Sequence, residues 1–303
     1  MKTLRERMTE FCLYHRDGDG ECNAKLLTEY ANRHELSDDE RFHLAFFFSI
    51  TYCCESGIIL FKNRGRILSG ELTAETLKQD MVFQSDRKYI KMGNRFKDLL
   101  ELWKTTITSY NNSKWFANGV LDLQEAIKDV ENWYMFGRFS AFLFLESYAT
   151  MIGVAVSNTT IDWKNGDTAT SGLLNLYGDD ALADEFDRSG VLKVPVDKMD
   201  ARLSNLAKNV EKTGGDTDTT KLETSLCAYR KFYKGSRYNG YYLDRMLEEL
   251  VWYQRLKPEY SDLTSELYGI RRALFPDEML GELHGWTGIR KENKKLYMMY
   301  GII

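Results

Sequence analysis

Two stretches place ionisable groups where a helical protein would ordinarily keep hydrocarbon. The first, Trp133–Gly153 (WYMFGRFSAFLFLESYATMIG), is the most hydrophobic segment of the chain. It nevertheless carries Arg138 beside Gly137, and Glu146 two turns further on. At about 100° per residue these two side chains stand roughly a quarter-turn apart. A helix apolar nearly all round belongs in the middle of its domain, and burying a bare charge there costs several kcal/mol. Arg138 and Glu146 are therefore a buried ion pair or edge residues, or else they line a polar pocket let into a helical core. The second stretch is Cys227–Trp252. Arg230, Lys231, Lys234 and Arg237 precede Tyr238-Asn239-Gly240-Tyr241-Tyr242, and a helix follows with Asp244, Arg245 and Glu248. Asp244 and Glu248 share one face at i, i+4, and Tyr241 and Arg245 share the next. Four cations ahead of a tyrosine-rich turn suit a phosphorylated ligand or strand. The plainer reading is surface charge with ordinary core tyrosines.

Three further segments carry weaker signals. Asp86–Lys97 gathers Arg87, Lys88, Lys91, Arg95 and Lys97 around Tyr89 and Phe96. Cations interleaved with rings can hold phosphates while an aromatic stacks on a base, although a solvated basic face has the same composition. The polar tract SNTTIDWKNGDTATSG leaves Trp163 exposed among small polar groups and ends in Thr170-Ser171-Gly172, next to the helix-like LLNLYG. Free amides and hydroxyls before a helix start make an anion site, and they also make any N-cap. In the tail, Gly285, Trp286 and Gly288 precede Arg290, Lys291, Lys294 and Lys295, as in a hairpin between helices that presents amides to a DNA phosphate.

The elements that must position these groups read as helices. Only three prolines occur in 303 residues, which favours long uninterrupted helices. Residues 1–16 form one, closed by Asp17-Gly18-Asp19-Gly20. That tetrad has the start of a calcium loop, but Thr28 stands where the loop needs glutamate. A second helix runs from Asn23 to His34. Ser37 with Glu40 is a capping box that opens a helix through Phe42–Ile50, and Thr73 with Thr76 starts another. Phe42–Phe61 is broken by His43 and Glu55, so it reads as buried helix rather than membrane span. Phe96–Tyr110 is amphipathic, Asn118-Gly119 makes a turn, and residues 173–187 read as helix, turn, helix around Gly178. Val191–Val196 is the one candidate strand. Glu211–Thr220 is the most loop-like segment, either a surface insertion or a boundary between lobes.

The fold class is therefore all-α, a multi-helix bundle with at most minor β, forming one helical domain over 1–303 or two lobes with a loop insertion near 211–220. A hydrophobic content of 43% supports a substantial core, and a net charge of −4 means that any nucleic acid must be met by a local patch. Five irregularly spaced cysteines without a CxxC pair support neither a zinc ribbon nor a disulfide framework. The start MKTLRERMTEF has no signal-peptide core.

At WYMFGRFSAF, TSGLLNLYG and RYNGYYLDRMLEEL the chain resembles a phage DNA-modification family, the amino acid:DNA transferases, also called alpha-glutamyl/putrescinyl thymine pyrophosphorylases. The resemblance runs from the Phe42 helix to the Trp286 region. It implies a helical fold distantly similar to helix-hairpin-helix DNA glycosylases, acting in the cytoplasm of an infected bacterial host. It also implies a reaction, in which an amino acid or amine such as glycine displaces pyrophosphate from 5-pyrophosphoryloxymethyl-deoxyuridine in DNA. That chemistry asks for cations or amides at the leaving pyrophosphate, for which Arg138, Ser171, Gly172, Arg230 and Arg237 are the candidates. Glu146 or Asp244 would take the amine's proton. Trp133, Tyr238 and Tyr241 would wall the pocket for a flipped base. Arg87, Lys88, Lys91, Arg95, Arg290 and Lys291 would hold the DNA backbone. No metal-ligand cluster or cofactor motif stands out, and magnesium would enter only through the pyrophosphate. DNA and the amine are the partners, with no membrane and no obligate protein partner. A glycosylase-like excision enzyme and a non-catalytic helical DNA-binding protein are the alternatives.

Overall fold

A computed structural model describes residues 2–157, 160–164, 167–237, 240–275 and 280. In chain order the α-helices are α1 (Leu4–Asp17), α2 (Cys22–Arg33), α3 (Asp38–Thr51), α4 (Cys54–Lys62), α5 (Arg64–Leu68), α6 (Ala74–Asp80) and α7 (Arg95–Thr105). After a two-stranded hairpin, β1 (Phe116–Ala117) and β2 (Val120–Leu121), follow α8 (Leu123–Val130), α9 (Arg138–Ile152), α10 (Asp167–Tyr177) and α11 (Asp180–Ser189). The last are α12 (Val196–Lys212), α13 (Thr219–Tyr233), α14 (Tyr241–Leu256) and α15 (Ser261–Leu274). The fold is thus all-α with one small sheet. Among the described residues no helix is long and apolar enough to cross a membrane.

Helices α1, α3 and α6 begin at capping boxes. Ser37 Oγ accepts from the Glu40 N–H at 3.3 Å while the Glu40 carboxylate accepts from the Ser37 N–H at 3.0 Å. The Thr3/Glu6 and Thr73/Thr76 pairs repeat the pattern. Each such cap contributes about 1 kcal/mol by satisfying donors that the helix itself cannot. Asn118-Gly119, both at positive φ, turn β1 into β2 as that dipeptide usually does.

The chain divides into two compact units, each assembled from two separate segments. The smaller holds Met1–Cys22 and Asn158–Leu243, the larger Asn23–Ser157 and Asp244–Ile303. The 211–220 tract joins α12 to α13 inside the smaller unit, so the division falls elsewhere.

The larger unit is built on α3, in which Phe42, Phe46, Phe47 and Phe48 are all buried. It packs on α4 and α9. Gly57 lets α4 come close, because a Cβ there would meet the Phe48 Cα at 2.9 Å. Trp133 sits in an aromatic core with Phe42, Tyr110, Trp115, Phe136 and Phe144 at centroid distances of 5.2–6.4 Å. It therefore fills the interior rather than walling an open pocket.

In the smaller unit α10 packs on α13 through Gly172, whose added Cβ would lie 2.3 Å from the Leu226 carbonyl oxygen. Three sequence expectations are corrected here. Val191–Val196 forms no strand; Pro195, which cannot donate to a ladder, instead sits at the N-cap of α12. Trp163 is buried rather than exposed, and its indole N–H donates to Asp200 at 2.7 Å. Ser171 and Gly172 lie inside α10, not ahead of a helix, because the helix already begins at Asp167.

Candidate active site

The best candidate site in the larger unit forms along the accessible edge of α9. Most of this helix is buried, but Arg138, Phe139, Phe142, Glu146 and Thr150 make a less buried stripe at helical spacing. Arg138 and Glu146 are therefore edge residues of the core helix. Phe139 is 50% exposed, which is unusual for so large an apolar ring.

Phe139 and Tyr52 form a pair of rings with a guanidinium group against each. The Arg87 Cζ lies 4.7 Å from the Phe139 centroid, and the Tyr52 ring meets Phe139 edge-on at 6.0 Å. The Arg245 Cζ stands 5.6 Å from the Tyr52 ring centroid. Cations over aromatic faces are stabilised by the ring quadrupole, more so when partly dehydrated. Tyr52 closes α3 with φ 54°, in the left-handed region. A bulky residue held there stores strain on the order of 1–3 kcal/mol, a cost that collects at functional sites.

Arg87 is buried, which corrects its expected place on the DNA-facing surface. Its Nε donates to the Ser49 carbonyl at 2.9 Å, and its Nη1 to the Tyr89 hydroxyl at 3.4 Å. Tyr89 ties this buried arginine to the basic surface, since Arg95 Nη1 donates to the Tyr89 carbonyl at 3.1 Å. Lys88, Lys91 and Arg95 are exposed there. Partial dehydration, together with the nearby charges of Lys78 and Lys88, pulls the Lys91 ammonium below its ordinary pKa.

Next to Arg245 lies a second, fully enclosed group. Asp244, Glu248 and Glu249 from α14 and Glu55 from α4 are all buried. Arg245 Nε is 4.0 Å from Glu249 Oε1, and the Thr264 hydroxyl donates to Glu55. Burial first, then the neighbouring Glu249, pushes Glu55 up to about 9 and Glu248 up to about 8. Burial raises Glu249 to about 8 as well, against the opposing pull of Arg245 and the Cys53 thiol. Burial and then Glu249 also drive the Cys53 thiol far upward. Among the described residues both oxygens of Glu248, Oε1 of Glu249 and Oε2 of Glu55 have no hydrogen-bond partner. Such atoms are uncommon in native interiors and mark either stored instability or a missing ligand.

In the smaller unit Arg230 and Lys234 are each matched by an acid. Ser171 Oγ donates to Asp187 at 2.5 Å, and Arg230 donates to the other oxygen of the same carboxylate. Lys234 pairs with Asp184 at 2.5 Å. The Arg237 Cζ lies 4.4 Å from the Tyr241 centroid and 4.7 Å from that of Tyr242, and its Nη1 donates to the Tyr242 hydroxyl. The structure thus brings Ser171 and Arg230 to one acid and Arg237 to Tyr241, while Gly172 serves helix packing. Tyr238, Arg290 and Lys291, with the Gly285–Gly288 hairpin, lie outside the described residues.

Sequence reasoning missed Tyr52, Phe139, Glu55 and Glu249. A signal for Glu249 exists, since Asp244, Arg245, Glu248 and Glu249 crowd the interval between Leu243 and Leu250. No sequence pattern marks Tyr52. Among the described residues no group of three or more His, Cys, Asp or Glu is placed to hold a metal ion.

A family model described as "Amino acid:DNA transferase" matches residues 67–238, more than half of the chain. The matched span takes in the basic segment and α9 and stops short of α14. No characterised protein and no solved structure shows a significant match.

Proposed function

The chain belongs to the amino acid:DNA transferase family, and from that premise we propose that it links the amino group of an amino acid such as glycine to 5-pyrophosphoryloxymethyl-deoxyuridine in DNA. The bond from the thymine methyl carbon to the pyrophosphate oxygen breaks, and its electron pair leaves with pyrophosphate. A carbon–nitrogen bond forms at the same carbon, and the amine's proton passes to a carboxylate.

The residues divide this work by position. Lys88, Lys91 and Arg95 hold backbone phosphates, each neutralised phosphate releasing about 0.9 counterion. Phe139, with Tyr52 beside it, offers the ring on which an extruded pyrimidine stacks. Arg87 and Arg138 flank that ring in space and in sequence, and they counter the charge that grows on the departing pyrophosphate. Glu146, on the same accessible stripe as Phe139, accepts the amine's proton, with Asp244 as the second candidate.

The observation that carries this reading is the family match across the basic segment and α9. Incubating the protein with pyrophosphorylated DNA and glycine, then digesting to nucleosides for mass spectrometry, tests it. An aminomethyl adduct of deoxyuridine with stoichiometric pyrophosphate is the expected result. Abasic sites, or binding without any product, would overturn it.

A further inference from the structure

A cavity of about 480 Å³ opens within the smaller unit, and none of its lining residues enters the reaction proposed above. Its size is that of a small-molecule site. Helix α1 supplies most of the lining. Arg5, Thr9 and Leu13 border it at four-residue steps, a line about 12 Å long that runs from charge to hydrocarbon. At the charged end Glu6 stands beside Arg5, their Cα atoms about 3.8 Å apart as neighbours in the chain. At the apolar end Leu13 is 43% exposed, and the rings of Tyr14 and of Phe232 from α13 stack with centroids 5.5 Å apart at 24°. The charges differ in what already holds them. Glu10 accepts from the Tyr229 hydroxyl at 3.2 Å and pairs with Lys2. Oε2 of Glu6 accepts from both the N–H and the hydroxyl of Thr3, at 2.7 and 2.9 Å, and Oε1 has no partner among the described residues. The Arg5 guanidinium and the Thr9 hydroxyl have none there either. A DNA strand would be repelled by Glu6 and Glu10. An alkylamine would leave Arg5 unanswered, and a simple carboxylate would leave Glu6 so.

We propose that this cavity binds a free α-amino acid with a large apolar side chain. Arg5 donates through its planar fork to the ligand's carboxylate. The ammonium donates to Glu6 Oε1 and to the Thr9 hydroxyl, both of which can accept. The side chain covers Leu13, Tyr14 and Phe232, removing their exposed hydrocarbon from water. In an α-amino acid both charged groups hang from one carbon, which matches a cation and an acid that are adjacent in the chain. The ligand's net charge is zero, so it meets no repulsion from Glu10, whose own charge is balanced by Lys2. The assignment concerns binding alone, goes beyond the transferase reading, and stands on the lining of the cavity.

The test uses the full chain without DNA. Thermal unfolding near pH 7 is followed with ~10 mM L-phenylalanine, 3-phenylpropionate or phenethylamine, and affinities are read by equilibrium dialysis. The last two compounds keep the ring but lack the ammonium and the carboxylate respectively. Phenylalanine is expected to raise the midpoint and to bind about tenfold tighter than either analogue, each of which forgoes a charge-assisted contact. Arg5→Gln and Glu6→Gln should each weaken phenylalanine binding by about the same factor. Glutamine serves a capping box as glutamate does, so Glu6→Gln leaves α1 its start and the ligand-free midpoint in place. Comparable binding of all three compounds, no binding of phenylalanine, or an Arg5→Gln variant that binds as the parent does would each overturn the assignment. No nucleoside is formed in this test, so its failure leaves the transferase reading to the mass spectrometry.

Discussion

The two units treat charge in opposite ways. In the smaller one, Asp187 and Asp184 of α11 pair with Arg230 of α13 and with Lys234 at its C-cap, so these two cations meet their acids near the surface. In the larger one, two arginines lie buried against rings, and four acids crowd a single helix face and its neighbour. Exposed pairs of the first kind are worth about 0–1 kcal/mol and are easily replaced. Buried acids whose oxygens lack partners, such as those of Glu248, cost stability, and folds keep them where something else must bind or react. Sequence alone could not separate the two, since both present as cations beside tyrosines.

The sharpest way to break this contrast is to remove the proposed proton acceptor. Glu146→Gln should lower the rate of aminomethyl-nucleoside formation by about 10²–10⁴-fold, as read by mass spectrometry, with DNA binding unchanged. An active variant would move the base to Asp244. Next in size, Phe139→Ala should weaken binding of modified single-stranded DNA by about 1–3 kcal/mol, measured by fluorescence anisotropy. Its ring is half exposed, so the melting temperature should hardly move. Replacing Lys88, Lys91 and Arg95 together by alanine should flatten the dependence of log K on log salt by about 0.9 per phosphate lost. An unaltered slope would take the DNA backbone off this face.

The pH dependence of stability follows from the buried acids. Glu55, Glu248 and Glu249 titrate well above their ordinary value of 4.5 in the folded protein. Between pH 4.5 and about 8 the folded state holds protons that the unfolded chain has lost, so stability must fall as pH rises. The slope is on the order of 1 kcal/mol per pH unit per group, and it vanishes above pH 9. Glu248→Gln should flatten part of it in a series of chemical denaturations. The smallest effect belongs to the smaller unit, where Lys234→Ala should cost no more than about 1 kcal/mol and leave turnover intact. A large loss there would erase the distinction between the units.

Much of the architecture is legible from local chemistry. Scarce proline, the Ser37–Glu40 box and the phenylalanines of α3 point to buried helices, and the structure has them. The errors arise where tertiary partners override composition. Trp163 looks exposed among small polar residues until Asp200, 37 positions away, accepts its N–H. Thr170 looks like a loop residue, yet its hydroxyl donates to the Trp163 carbonyl at 2.9 Å, which lets α10 begin early. Arg138 and Glu146 are legible as special because charge interrupts hydrocarbon. Tyr52 and Phe139 are not, since a ring among rings gives no sign that it stands at an edge or adopts a left-handed backbone.

The way the backbone passes between the units has a practical consequence. It crosses after Cys22, again after Ser157 and a third time within α14, between Leu243 and Asp244. No single cut liberates either unit whole, and the family-matched span 67–238 contains portions of both and the complete interior of neither. Expressing that span alone would yield a broken assembly. A stand-alone version of the smaller unit would instead need its first 22 residues stitched to the 158–243 stretch by a new linker.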